Sequence, residues 1–227
     1  MNYIGIDPSL TSTAIFIKTP DAEYYFNFRN NDKLSKWHKV LSHVDYVYTD
    51  IKKSSVYSEN EILKNIQYNS ISLAIVKKIL DICNPEDSVI FIEGYSYSSS
   101  NTSSLIDLIG FSTLLRHHLI QYKFDNITVI SPSTLKIETC KLTYPAIEKH
   151  IGGKKPRIEY IYRNSIGIPG GSFKKPDMLE SIFDNKNIDI QIKRSLSYHK
   201  DELLKMKAIP KPIDDLIDAV CLVYTNI

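Results

Sequence analysis

The chain has 227 residues, 43% of them apolar and 24% charged, with a net charge of +2. At about 150 residues per domain this predicts a single domain over 1–227 with an elaboration, and it excludes a wholly disordered, collagen-like or disulfide-framework chain. Apolar runs such as SVIFI fall far short of the roughly 18 to 20 residues that span a bilayer. The N-terminus has no signal-peptide zones, and Cys83, Cys140 and Cys221 form no C-x-x-C pair. These features predict a soluble cytoplasmic protein with reduced thiols and no membrane partner.

In chain order, NYIGID is an apolar run ending at Asp7-Pro8, and the hydroxyl-rich turn SLTST leads into a second run, AIFI. The two read as a hairpin, and the aromatic EYYFNF at 23–28 supplies a third antiparallel strand. Residues 29–58, which include Trp37, are polar and weakly periodic and read as a connection. From Glu59 to Cys83, Ile62, Ile66, Leu73, Val76 and Leu80 recur at near-helical spacing, predicting a long amphipathic helix that stops before Asn84-Pro85.

SVIFIEG at 88–94 is a short continuous apolar run, as in a strand buried on both faces, with Glu93 at its end. A Ser/Asn tract then gives way to a second helix carrying Leu105, Leu108, Ile109, Leu115 and Leu119. ITVI at 127–130 is a further strand, and Ser131-Pro132 starts another helix. Residues 140–172 are rich in Pro, Gly, Lys and Tyr without periodicity and read as a basic insertion or mobile loop region. IDDLIDAVCLVYTNI closes the chain as a helix. The fold class that follows is α/β, a mixed five-stranded sheet of three antiparallel strands and then parallel ones, flanked by helices.

Charge is unevenly spread. Residues 136–211 hold 16 Lys and Arg against 9 Asp and Glu, while the rest holds 12 against 17. Such a split suits a polyanion-binding surface beside an acidic site, although a solvated surface alone would also produce it.

Asp7 ends the first strand, Glu93 closes the strand after the long helix, and Asp215 and Asp218 share one face of the last helix at i and i+3. Asp is depleted in strands, and Asp218 sits in an otherwise apolar run. Two carboxylates about 4 to 5 Å apart repel by roughly 3 to 4 kcal/mol, so four in one pocket would demand cations. Oxygen-only ligands favour Mg²⁺ or Mn²⁺, and two such ions about 4 Å apart serve phosphodiester hydrolysis. Taken singly, each residue has an ordinary reading: Asp7-Pro8 as a turn starter, Glu93 as a solvated strand end, and Asp214-Asp215 as the acidic first turn of a helix. Their joint placement favours the site.

The motifs IGIDPSLTSTAI, VIFIEGYSYSS, SPSTLK, GGSFKKPDML and DDLIDAVCLVY, in that order, resemble those of the RuvC-type Holliday-junction resolvases of the ribonuclease H-like superfamily. The likeness spans nearly the whole chain and is most specific at its first and last motifs. It implies a ribonuclease H-like fold, Asp7, Glu93, Asp215 and Asp218 as the catalytic, metal-binding carboxylates, two Mg²⁺ ions per site with Mn²⁺ as a substitute, and a homodimer that nicks four-way DNA junctions symmetrically. Asp214 neighbours this set; the Asp-x-x-Asp-Ala spacing selects Asp215. The interval between SPSTLK and GGSFKKP is longer than in compact bacterial members, and the PKPIDD approach to the last helix looks closer to viral and mitochondrial relatives, leaving any helicase or viral replication partner open.

Lys136, Lys174, Lys175 and Lys211 are candidates for phosphate contacts, against the plainer reading of solvated lysines. Tyr95 and Tyr97 are candidates for stacking on bases at a branch point, or for packing. His117 and His118 read as structural, lacking a third metal ligand. Among competing functions, GIDPSLTST also suits an actin- or sugar-kinase-like ATPase, but the chain has no second D-x-G loop and no P-loop. A nuclease acting on RNA–DNA hybrids or flaps would use the same carboxylates. A DNA-binding module without catalysis would have no use for all four.

Overall fold

The structure is a computed structural model that describes residues 1–50, 52–95, 102–149, 157–162, 165–169 and 173–227, with the backbone alone described for Lys149 and residues 166–169. Three strands open the chain, β1 (Asn2–Asp7), β2 (Ser12–Lys18) and β3 (Glu23–Arg29), followed by α1 (Lys36–Val40), β4 (Asp45–Tyr48) and α2 (Tyr57–Leu80). Next come β5 (Ser88–Glu93), α3 (Thr102–Gln121), β6 (Ile127–Ile130) and α4 (Pro132–Lys141). The rest comprises β7 (Ala146–Lys149), β8 (Arg157–Tyr162), β9 (Ser165–Pro169), α5 (Lys175–Asp184), α6 (Gln191–Leu196), α7 (Lys200–Leu204) and α8 (Ile213–Tyr224).

The main sheet has the order β4-β3-β2-β1-β5-β6. β1, β2 and β3 pair antiparallel, whereas β5 lies parallel to β1 and β6 parallel to β5. This is the mixed arrangement of the five expected strands. β4 adds a sixth, parallel to β3, at the edge.

Alternation along the strands divides the core in two. Ile4, Ile6, Ile15, Ile17, Ile90 and Ile92 point to one face, where α2 contributes Tyr68, Ile75, Val76 and Ile79 and α3 contributes Phe111, Leu115 and Leu119. Ala14, Phe16, Tyr25 and Phe91 point to the other, beneath α8, α4 and α5. From Ile213 to Val223 every residue of α8 but Asp214 is buried. A helix apolar on all sides belongs inside the molecule, and this one brings two aspartates with it.

Three expectations need correction. Segment 29–58 holds α1 and β4, and Trp37 is buried against His199, their rings 5.3 Å apart; neither KWHKV nor DYVY carries a continuous apolar run such as the ITVI of β6 that would mark so short an element. The α2 stripe is Tyr68, Ser72, Ile75, Val76 and Ile79, whereas Ile62 and Ile66 are about 60% exposed, so near-helical spacing picked a partly wrong face. Much of 140–172 is an antiparallel sheet, β7-β8-β9, anchored by Tyr160, fully buried 4.9 Å from the Phe173 ring. Residues 150–156, 163–164 and 170–172 lie outside the described residues. No helix among those described is long and apolar enough to cross a membrane.

Candidate active site

Strand register places the first two carboxylates. Ile6 of β1 stands beside Ile92 of β5, so the next residues, Asp7 and Glu93, end neighbouring parallel strands side by side. Because Ile6 and Ile92 face α2 and α3, alternation turns Asp7 and Glu93 toward α8. Past Glu93, the Gly94 N–H donates to the Ile130 carbonyl at 2.7 Å and fixes the strand end.

Close packing supplies the third. A Cβ at Gly5 would lie 1.9 Å from the Ala219 carbonyl oxygen, so only glycine lets α8 seat on β1 at this depth. Asp218 precedes Ala219, and the crossing delivers it to Asp7. One carboxylate oxygen each from Asp7, Glu93 and Asp218 then lies within 4.8 Å of the other two. Asp215, one turn earlier and only 4% exposed, borders this triad and adds its charge at Asp7.

Two ammonium groups face these acids. Lys175, at the start of α5, pairs with Asp218 and lies 3.4 Å from Asp214. Lys211 pairs with Asp215 at 3.0 Å. Both were sequence candidates for DNA phosphate, and both stand within the carboxylate cluster. The balance remains acidic. Burial holds the Asp7 carboxyl well above the usual carboxylate range; the charges of Glu93 and Asp215 and a hydrogen bond with Glu93 add to this, and Lys175 opposes it. Burial also raises Asp215, offset by Lys211 and by the Ser12 hydroxyl alongside.

Asp218 Oδ1 and Asp215 Oδ2 are buried without a hydrogen-bond partner, whereas Asp214 Oδ1 has the Lys175 ammonium 3.4 Å away. An unsatisfied buried polar atom costs about 1 to 3 kcal/mol, more when charged. Hard oxygen donors that are buried, mutually repelling and unsatisfied fit a divalent cation such as Mg²⁺ or Mn²⁺.

The other candidates are dispersed. Lys174 is exposed and caps α5, its backbone N–H donating to Asp177 Oδ2 at 2.7 Å, while Lys136 is half-buried on α4. Arg116 of α3 donates to the Tyr95 hydroxyl and lies 5.5 Å from its ring centroid, so Tyr95 is held beside the Glu93 strand end. Tyr97 lies outside the described residues. His118 bonds the Asn69 side chain at 2.8 Å, in keeping with a structural role.

Sequence reasoning missed Gly5 and Arg116. A glycine inside a strand is a readable sign of close backbone approach. Arg116 looks like any surface arginine of a helix.

No family model and no curated protein matches the chain. Among solved structures, Thermus thermophilus RuvC in complex with Holliday junction substrate aligns with 99% of this chain and 91% of its own, at 7% identity and a TM-score of 0.48. A second Thermus thermophilus RuvC structure aligns with 99% and 92%, at 11% identity and a TM-score of 0.42. The yeast mitochondrial Holliday junction resolvase Ydc2 aligns with 98% and 76%, at 10% identity and a TM-score of 0.48.

Proposed function

We propose that the chain is a divalent-metal-dependent endonuclease, one nuclease unit over its whole length, that cuts four-way DNA junctions by paired nicks as a homodimer in the cytoplasm. The observation that carries this reading is the convergence of Asp7, Glu93 and Asp218 oxygens within 4.8 Å, from three elements far apart in sequence. The motif resemblance supports the choice of junction DNA, and the basic excess over residues 136–211 supports a polyanionic substrate.

Asp7, Glu93 and Asp218 would hold the metal, with Asp215 at the border of the site. When bound, Mg²⁺ supplies Lewis-acid polarisation of the phosphate and an activated water, leaving a 5′ phosphate. The chain's own residues orient and balance charge. β1 and β5 fix two carboxylates rigidly, α8 fixes two more, and Lys175 and Lys211 keep the acidic ends from repelling the substrate outright. Lys175 stands close enough to the triad to counter charge gathering on a phosphate there, and exposed Lys174, the next residue, extends that positive edge outward.

The test incubates purified protein with labelled four-way junction, linear duplex and RNA–DNA hybrid in Mg²⁺, Mn²⁺ or EDTA. The expected outcome is paired nicks on opposed strands of the junction alone, with 5′ phosphate ends, in either metal and not in EDTA. Cutting of the hybrid in place of the junction would transfer the site to that substrate. Absence of cutting on every substrate would overturn the reading.

A further inference from the structure

Lys175 is the first residue of α5, directly after Lys174 at the N-cap. The N-terminal end of a helix carries positive partial charge and favours anions, so consecutive lysines there work against the helix. Local structure gives Lys175 no reason to be basic, and α8 does. Its ammonium pairs with Asp218, whose side chain is 4% exposed, and lies 3.4 Å from Asp214 Oδ1, one helical turn earlier on a side chain that is 26% exposed.

Asp218 divides its carboxylate between two demands. Oδ2 accepts from the Lys175 ammonium, while Oδ1 is buried without a hydrogen-bond partner. The same carboxylate supplies an oxygen to the triad with Asp7 and Glu93. An ammonium and a divalent cation on one buried carboxylate are like charges at close range, and each weakens the hold of the other. Lysine suits a contact that must be released, because its ammonium is a compact charge on a flexible stem, whereas the planar fork of arginine would grip both oxygens. Asp214, at i−4 from Asp218 and nearer solvent, offers the released ammonium a second partner on the same face of α8.

We propose that Lys175 is a built-in counter-ion that exchanges with the metal: it balances buried Asp218 until a divalent cation enters the triad, then yields that carboxylate and shifts toward Asp214 and solvent. This rests on the nuclease reading above. One side chain then stabilises the metal-free fold and weakens metal binding, two effects of opposite sign.

The experiment is a calorimetric Mn²⁺ titration of the full chain without DNA, with thermal melts in EDTA and in Mn²⁺, on wild type, Lys175→Met, Lys175→Gln and Lys64→Met. Lys175→Met should bind Mn²⁺ about tenfold more tightly, the order that Coulomb's law gives for removing a like charge from a shared carboxylate even under water-like screening. It should melt below wild type in EDTA and gain more than wild type from Mn²⁺. Lys175→Gln keeps a donor for Asp218, so it should tighten Mn²⁺ binding with a smaller loss of stability, and it is read in place of Lys175→Met if that variant does not fold in EDTA. Lys64 lies on α2, across the sheet from α8, and pairs with Glu61 and Asp107 at 2.9 and 3.0 Å. Lys64→Met makes the same change in net charge and should stay within about twofold of wild type. Unchanged or weaker Mn²⁺ binding in the Lys175 variants would overturn the exchange while leaving the metal site standing, as would equal tightening in Lys64→Met. Failure of wild type and both Lys175 variants to bind Mn²⁺ would instead overturn the metal-site reading and this inference together.

Discussion

Asp7 lies where a strand ends against a buried helix, and its neighbours set its chemistry. Burial first, then Glu93 and Asp215, hold its carboxyl well above the usual range, so without metal the folded protein keeps a proton that the unfolded chain releases near pH 3.8. Stability must then fall as pH rises from about 4 through the raised value, because over that window the native state binds more protons. In EDTA, the wild-type melting temperature should drop more steeply with rising pH than that of Asp7→Asn, which has no such proton to lose. Equal slopes would contradict this electrostatic picture. At this scale the sequence was informative where a residue clashed with its surroundings: Asp218 inside an apolar run was visible without coordinates. The buried hydrogen bond from Asn27 to Ser12 was not, because a serine in a turn-like tract and an asparagine among aromatics meet only when β2 and β3 pair. The charge of Lys175 was legible in the sequence, and its pairing with Asp218 was not.

Among the elements, the decisive contact is α8 on β1. The glycine of GID and the alanine after Asp218 are two halves of one fitted crossing, with Gly5 against the Ala219 carbonyl. Gly5→Ala should push the helix outward, cost about 1 to 3 kcal/mol as an overpacked site and abolish metal-dependent cleavage, read by thermal melting and the junction assay. Gly110→Ala is the contrast. Its new methyl would meet nothing nearer than the Tyr68 ring at 3.9 Å, an ordinary contact, so it should remain folded and active. A fully active Gly5→Ala would mean that the crossing does not set the site. Long or strongly patterned elements were readable in advance: β5, β6 and α8 stand close to where their apolar patterns place them. The short α1 and β4 were not, and neither were β7, β8 and β9, whose stretch of Lys, Gly and Pro masks alternation. Such strands are specified by pairing with one another and by Tyr160 packing on Phe173, which no local pattern encodes.

Across the whole molecule, the carboxylates gather at one end of the sheet while basic residues concentrate between 136 and 211, and two of those lysines reach into the acidic cluster. The five-strand order could be anticipated because hairpins and parallel crossovers leave few alternatives for such a series of elements. The depth at which α8 packs, which turns distant acids into a site, could not.

The most direct test of the account compares wild type with Asp7→Asn on labelled four-way junction in Mg²⁺, scoring cleavage and binding in parallel. The substitution replaces a carboxylate oxygen with an amide that is a poor ligand for a hard cation, and it leaves the lysines and arginines of residues 136–211 untouched. The account predicts cleavage reduced below detection with junction binding equal to or tighter than wild type. Cleavage retained in Asp7→Asn would contradict it, because the triad at the ends of β1, β5 and α8 would not be where the chemistry happens.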